Sequence, residues 1–186
     1  EPYWAAILKL GGIPVEIPQL VYECGPHMKA NPDLLHAEFV VEVKDMTGWG
    51  YKELLQPWGN VQVSEPGHYA QLQLYMYATD REWALYLVAP ADPSLLQSQL
   101  KQRKKFGPTY EMPPYYVEWV PRNHEEIEGL LDRAAMLAAD LQSDEPPPRE
   151  YPGIPVDRAG KRIWPCGYCP HQPRCVETFG WGNYGY

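Results

Sequence analysis

The chain has 186 residues, the length of one domain with a small appendage. Apolar residues make up 45%, enough to build a core and to exclude wholesale disorder. Lys and Arg number 16 against 24 Asp and Glu, a net charge of −8. That balance argues against a protein that coats duplex DNA through bulk charge, and leaves room for an acidic metal site with local contacts.

No apolar run approaches the ~18 residues of a membrane-spanning helix, and no signal peptide opens the chain. The expectation is a soluble cytoplasmic protein with no membrane partner. The sequence starts at Glu1, without an initiator Met.

In chain order, Pro2 to Leu10 reads as a helix stopped by Gly11-Gly12. Val15 to Ile17 and Leu20 to Tyr22 read as extended pieces. Leu34-Leu35 and Phe39 to Val43 read as strands, the second through its Phe-Val-Val run. Asp45 to Pro66 reads as a loop-rich insertion. His68 to Asp80 reads as a helix, because Leu72, Tyr75, Met76 and Thr79 recur at helical spacing. Trp83 to Val88 is a strand with Tyr115 to Val120 as its hairpin partner, and the basic run Lys101 to Lys105 falls in the hairpin loop. Asn123 caps a helix from His124 to Gln142, with Glu125 and Glu126 in its first turn. Pro146-Pro147-Pro148 ends it and starts a stiff linker. This order predicts an α/β (α+β) domain with a mixed sheet flanked by helices over residues 1–145. A Pro-rich linker and cysteine-rich tail over 146–186 would pack on that core.

Two short segments carry the chemistry. Pro32-Asp33 precedes Glu42-Val43-Lys44 by nine positions. On a strand Glu42 and Lys44 share a face. An Asp33 segment hairpinned onto that strand brings both carboxylates and an ammonium together. Two carboxylates, with the Val43 carbonyl as a further oxygen, suit a hard cation such as Mg²⁺ or Mn²⁺. Such a site suits phosphodiester hydrolysis, with Lys44 orienting water or neutralising charge. Glu-x-Lys alone is more often an exposed cross-strand charge pair. Here it interrupts an apolar strand.

Pro32-Asp33 with Glu42-Val43-Lys44 resembles the PD-(D/E)xK nuclease superfamily. The segment His68-Tyr69-Ala70-Gln71-Leu72-Gln73-Leu74-Tyr75 resembles the Gln-x-x-x-Tyr motif of its RecB-like branch. Gln71 and Tyr75 are one helical turn apart, and Gln73 and Tyr77 offer the same spacing. The first pair is preferred, because Leu72 and Met76 then continue the buried stripe. The resemblance implies a restriction-endonuclease-like fold. It also implies a metal-dependent deoxyribonuclease, an exonuclease on single-stranded or frayed DNA ends, with Asp33, Glu42, Lys44, Gln71 and Tyr75 catalytic. Phage recombination, DNA repair and CRISPR adaptation are the implied settings, and proteins of those processes the implied partners. His27, Glu23 and Glu16 are candidates for an upstream metal-helper residue. The alternative is a catalytically silent DNA-binding or assembly module.

Cys166, Cys169 and Cys175 form a CxxC followed by a third thiol. Relatives in the RecB-like branch hold a [4Fe–4S] cluster with this spacing plus a distant N-terminal Cys, which makes Cys24 the implied fourth ligand. In those relatives the first Cys lies well ahead of the catalytic Asp, whereas Cys24 is nine residues before Asp33. Either Cys24 or a residue upstream of Glu1 completes the set. Zinc, bound by the three thiolates with His171 or Cys24, is the rival. Lys101, Arg103, Lys104 and Lys105, with Phe106, Tyr110 and Tyr115 nearby, form a candidate single-strand contact.

Overall fold

A computed structural model describes residues 2–25, 28–90, 94–109, 111, 113–142, 154–156 and 183–185. The chain divides into two compact units, Glu1–Ala139 and Asp140–Tyr186.

The first unit is built on a four-stranded sheet in the order β3-β4-β5-β6. These strands are β3 (Leu34–Leu35), β4 (Phe39–Met46), β5 (Trp83–Pro90) and β6 (Tyr116–Pro121). β4 and β5 are parallel, and both outer pairs are antiparallel. The β4–β5 crossover holds α2 (Gly48–Leu54), α3 (Val61–Ser64) and α4 (Pro66–Thr79). Ahead of the sheet come α1 (Pro2–Leu10) and a small antiparallel pair, β1 (Tyr22–Gly25) with β2 (Met28–Ala30). α5 (Ser94–Phe106) joins β5 to β6, and α6 (His124–Gln142) follows. In the second unit, β7 (Ile154–Val156) pairs in parallel with β8 (Asn183–Gly185).

Both faces of the sheet are covered, which is why β4 reads as an almost continuous apolar run. On one face Val40, Ala84, Tyr86, Val88 and Val120 pack with Tyr69, Leu72, Tyr75 and Met76 of α4 and with Tyr51, Leu54 and Val61. On the other, Phe39, Val41, Leu85 and Leu87 pack with Ala5 of α1 and with Val15, Leu34 and the partly buried Trp4.

Two expectations are corrected. The stretch from Asp45 to Pro66 is not loop-rich: β4 runs to Met46, and α2 and α3 follow. The signals were short and local, such as Asn60, whose side chain caps α3 by accepting from the Val63 N–H at 2.9 Å. Lys101, Arg103, Lys104 and Lys105 are not in a hairpin loop but on α5. Leu, Gln and Lys favour a helix there, and three cations in its last turn complement its negative end. Gly107 stops it at φ +106°, a conformation that favours Gly, and its N–H returns to the Arg103 carbonyl at 3.0 Å. β5 and β6 pair antiparallel, but through this helix.

On α6 Ile127, Ala134 and Ala138 are buried, while Leu137 is exposed. Cys166, Cys169, Cys175, His171, His27 and Tyr110 lie outside the described residues.

Candidate active site

The site lies at the C-terminal half of β4, where the apolar run is broken by charge. Asp33 stands just before β3, and the β3–β4 pairing sets it beside Val43. Its Oδ2 accepts the Val43 backbone N–H at 2.8 Å. Glu42 projects to the α4 face and is 1% exposed. Its Oε1 is paired with the Lys44 ammonium, which reaches back along the same face. Its Oε2 is buried with no hydrogen-bond partner in the described structure. A carboxylate oxygen buried without a donor is costly.

Burial is the largest influence on Glu42 and pushes its carboxyl up to about 7. The Lys44 hydrogen bond and charge pull the other way, and the negative charge of Asp33 pushes further up. The two carboxylates therefore feel each other across a small space, with one ammonium between their demands.

α4 lines the same space. Gln71 donates its amide N–H to the Tyr75 hydroxyl. Burial, then the charge of Glu42, raises the Tyr75 hydroxyl to about 12, so it stays protonated as a donor. The alternative pair behaves differently. Gln73 is fully buried, donating to the Pro121 carbonyl at 3.0 Å and accepting the Asn123 N–H at 2.7 Å. Tyr77 is exposed. Gln73 thus ties α4 to the β6–α6 junction, and Gln71 with Tyr75 faces the carboxylates.

Two neighbours escaped the sequence reading. His68 lies seven residues before Tyr75 on the same face of α4. Its Nδ1 is 2.7 Å from the hydroxyl of Tyr86, the residue directly opposite Glu42 on β5. The buried Tyr86 hydroxyl is raised by burial and by the surrounding carboxylates of Glu65, Glu42 and Glu118. Burial and then the Lys44 charge hold His68 below its usual value. The only sequence signal was His68 one turn before Gln71. The contact with Tyr86 crosses 18 positions and is tertiary.

Cys24 sits in β1 and is buried, and forms no disulfide among the described residues. Burial, then the Glu23 charge, pushes its thiol up. Glu23 is ion-paired to Lys29 at 3.8 Å on the exposed side of β1 and β2, and Glu16 bridges by backbone to Leu35. Among the described residues no three or more His, Cys, Asp or Glu converge as a metal cage. Asp33 and Glu42 are a two-carboxylate donor set, and the unpartnered Glu42 Oε2 fits a hard cation that also takes backbone oxygen and water. No described helix is long and apolar enough to cross a membrane.

The chain is similar to several known proteins. Among solved structures, the alkaline exonuclease LHK-Exo from Laribacter hongkongensis is 17% identical with a TM-score of 0.48, covering 76% of this chain and 68% of that one. The same exonuclease in complex with dAMP gives 17%, 0.48, 76% and 67%. SSO0001 gives 16% and 0.49, covering 94% of this chain and 65% of that one. No curated protein sequence matches. The family profile of the PD-(D/E)XK nuclease superfamily matches residues 14–176, which spans the carboxylates, the lysine and α4. The chain belongs to the PD-(D/E)XK nuclease superfamily.

Proposed function

We propose that this chain is a Mg²⁺- or Mn²⁺-dependent deoxyribonuclease, an exonuclease that hydrolyses phosphodiesters at single-stranded or frayed DNA ends. One observation carries the reading. Glu42 is buried with an unpartnered oxygen, beside Asp33 and joined to Lys44. A structural charge pair has no reason to be held there.

Asp33 and Glu42, with the Val43 carbonyl, would hold the metal. When bound, such an ion supplies Lewis acidity and lowers the pKa of water. Lys44 orients the attacking water and offsets charge developing on the phosphate. Gln71 and Tyr75 donate hydrogen bonds to the backbone of the strand and fix its register. The exposed cations Lys101, Lys104 and Lys105 on α5, with Arg103, contact the strand further from the break. The biological setting that fits is DNA recombination, repair, or trimming of DNA ends before CRISPR integration.

Cys24, Cys166, Cys169 and Cys175 are proposed to hold a [4Fe–4S] cluster, with zinc as the rival. The described residues include Cys24 alone, and its raised thiol would have to ionise to ligate a metal. Iron content and absorbance near ~400 nm separate the two metals. Loss of iron in Cys169→Ser but not in Cys24→Ser would place the fourth ligand elsewhere.

The test of the enzyme is an anaerobic digestion of end-labelled single- and double-stranded DNA with Mg²⁺ or Mn²⁺, comparing the parent with Lys44→Ala. The parent should digest DNA and Lys44→Ala should be slowed by roughly 10²–10³-fold. An inert parent that still binds DNA would favour the silent binding module.

A further inference from the structure

A groove of about 490 Å³ opens on the face of the sheet away from α4. It shares Asp33 and Val43 with the carboxylate site, and is otherwise lined by Tyr3 and Trp4 of α1, Asp45 of β4, Ala89 of β5 and Tyr115 just before β6. Trp4 meets Tyr115 edge-to-face, with ring centroids 5.2 Å apart and planes at 80°. Tyr3 meets Trp4 in the same manner at 5.8 Å and 75°. Tyr3 is 66% exposed and Tyr115 46%. In an edge-to-face pair one ring's face takes the other's edge, and the exposure of Tyr3 and Tyr115 leaves ring surface open to a further partner.

Charge selects the occupant. The described residues lining this groove include two carboxylates and no Lys or Arg. Among the described lining residues, nothing offers a phosphate a cation. The groove suits a flat aromatic ring bearing exocyclic amino groups, which carboxylates accept, as Asp and Glu do from the amino group of cytosine. The volume is within the ~300–1,000 Å³ range of small-ligand pockets. Asp33 is common to the groove and to the carboxylate site, so a ring held here would belong to the same strand that the carboxylate site would engage.

We propose that the Tyr3–Trp4–Tyr115 groove is a nucleobase subsite that stacks the base next to the phosphate under attack. This rests on the reading of the chain as a DNA nuclease. The subsite favours unpaired ends, because a base must leave its duplex to stack there. It also favours bases with an exocyclic amino group over thymine, through Asp45.

The experiment uses the full chain with a short single-stranded oligonucleotide carrying 2-aminopurine at its end, one arm for each polarity, in Ca²⁺. Stacking on Trp4 and Tyr115 should quench 2-aminopurine on binding. Trp4→Leu with Tyr115→Ala should abolish the quench. It should weaken binding of the ordinary oligonucleotide by about tenfold, the scale of one base–aromatic stack. The variant's affinity should then equal the parent's for an oligonucleotide abasic at that end. Tyr3→Ala, at an exposed position, should weaken binding by about threefold, and keeps the test open if the double variant does not fold. Unchanged quench in a folded variant, or equal parent affinity for abasic and ordinary ends, overturns the subsite. Self-association lost in Trp4→Leu without any quench assigns the groove to a second copy and also overturns it. Cleavage with Mg²⁺ is scored separately. Quench without cleavage overturns the nuclease reading and leaves only base stacking in the groove standing, whereas cleavage without quench overturns the subsite and leaves the nuclease reading standing.

Discussion

Glu42 is held where a carboxylate is least stable. It is 1% exposed, and one oxygen has no donor among the described residues. Its carboxyl is raised from 4.5 to about 7, burial first, with Lys44 opposing and Asp33 adding to the rise. Between those values the folded, metal-free chain binds more protons than the unfolded one. Its stability therefore falls as pH rises through that window. Glu42→Gln keeps the shape and removes the charge, so it should flatten that slope. It should raise the metal-free melting temperature above pH 7, by ~2–4 °C for each kcal/mol recovered. Cleavage should fall by roughly 10²–10³-fold, since a metal-binding charge is gone. Melts in a chelator across this range check the first part. A variant that melts no higher than the parent at high pH would show that Glu42 is not strained. Asp33 poses a separable question, because its Oδ2 also accepts the Val43 N–H. Asp33→Asn keeps an acceptor there through its amide oxygen. It should melt close to the parent and still lose cleavage, which separates the structural bond from the metal-binding charge.

At the scale of elements, α4 works with two glutamines on two faces. Gln73 is buried and bridges Pro121 and Asn123, while Gln71 is half-buried beside Tyr75 and the carboxylates. Gln73→Ala leaves a buried carbonyl and N–H unpaired and should destabilise the fold by about 1–3 kcal/mol, with modest effect on cleavage per folded molecule. Gln71→Ala should do the opposite, with a near-parental melt and cleavage slowed through weakened strand positioning. The same result for both would put the wrong face of α4 toward the substrate. This contrast also shows what the sequence could reveal. Glu42 and Lys44 were legible because strand alternation fixes their shared face, and α4 because Leu72, Met76 and Thr79 mark its buried side. The preference for Gln71 over Gln73 rested on the buried stripe, and Gln73 lies on that buried side. The short elements were not legible. α2 and α3 have 7 and 4 residues and too few periods to stand out from the loops around them. α5 was hidden because Lys101 to Lys105 holds no apolar residue, so no periodic stripe marks a helix there. His68 and Tyr86 were hidden for a third reason. Their contact depends on α4 being laid back along β5, which no local pattern encodes.

For the whole molecule, the difficulty is a net charge of −8 on a chain proposed to hold DNA. Binding must then be local, and α5 carries the densest run of cations. Two physical readings of that run compete. Arg103 and its two neighbours sit in the last turn of α5, where cations stabilise the helix without any ligand. Arg103 also lies 3.8 Å from Glu111, an exposed ion pair. Lys101 lies earlier in the helix, one turn before Lys104, and both are exposed. Neutralising the pair as Lys101→Gln with Lys104→Gln tests them against each other. If both contact phosphates of a single strand, the slope of log binding constant against log salt should become shallower by about 1.4. Affinity at low salt should fall with it. If the cations serve the helix end alone, the slope stays and only the melting temperature drops, since a cation in the last turn is worth roughly 0.3–1 kcal/mol. Titrations of a single-stranded oligonucleotide at several salt concentrations, in Ca²⁺, decide it. An unchanged slope would move the DNA contact from α5 to α4 and the aromatic groove, where hydrogen bonds and stacking rather than counterion release would carry the affinity.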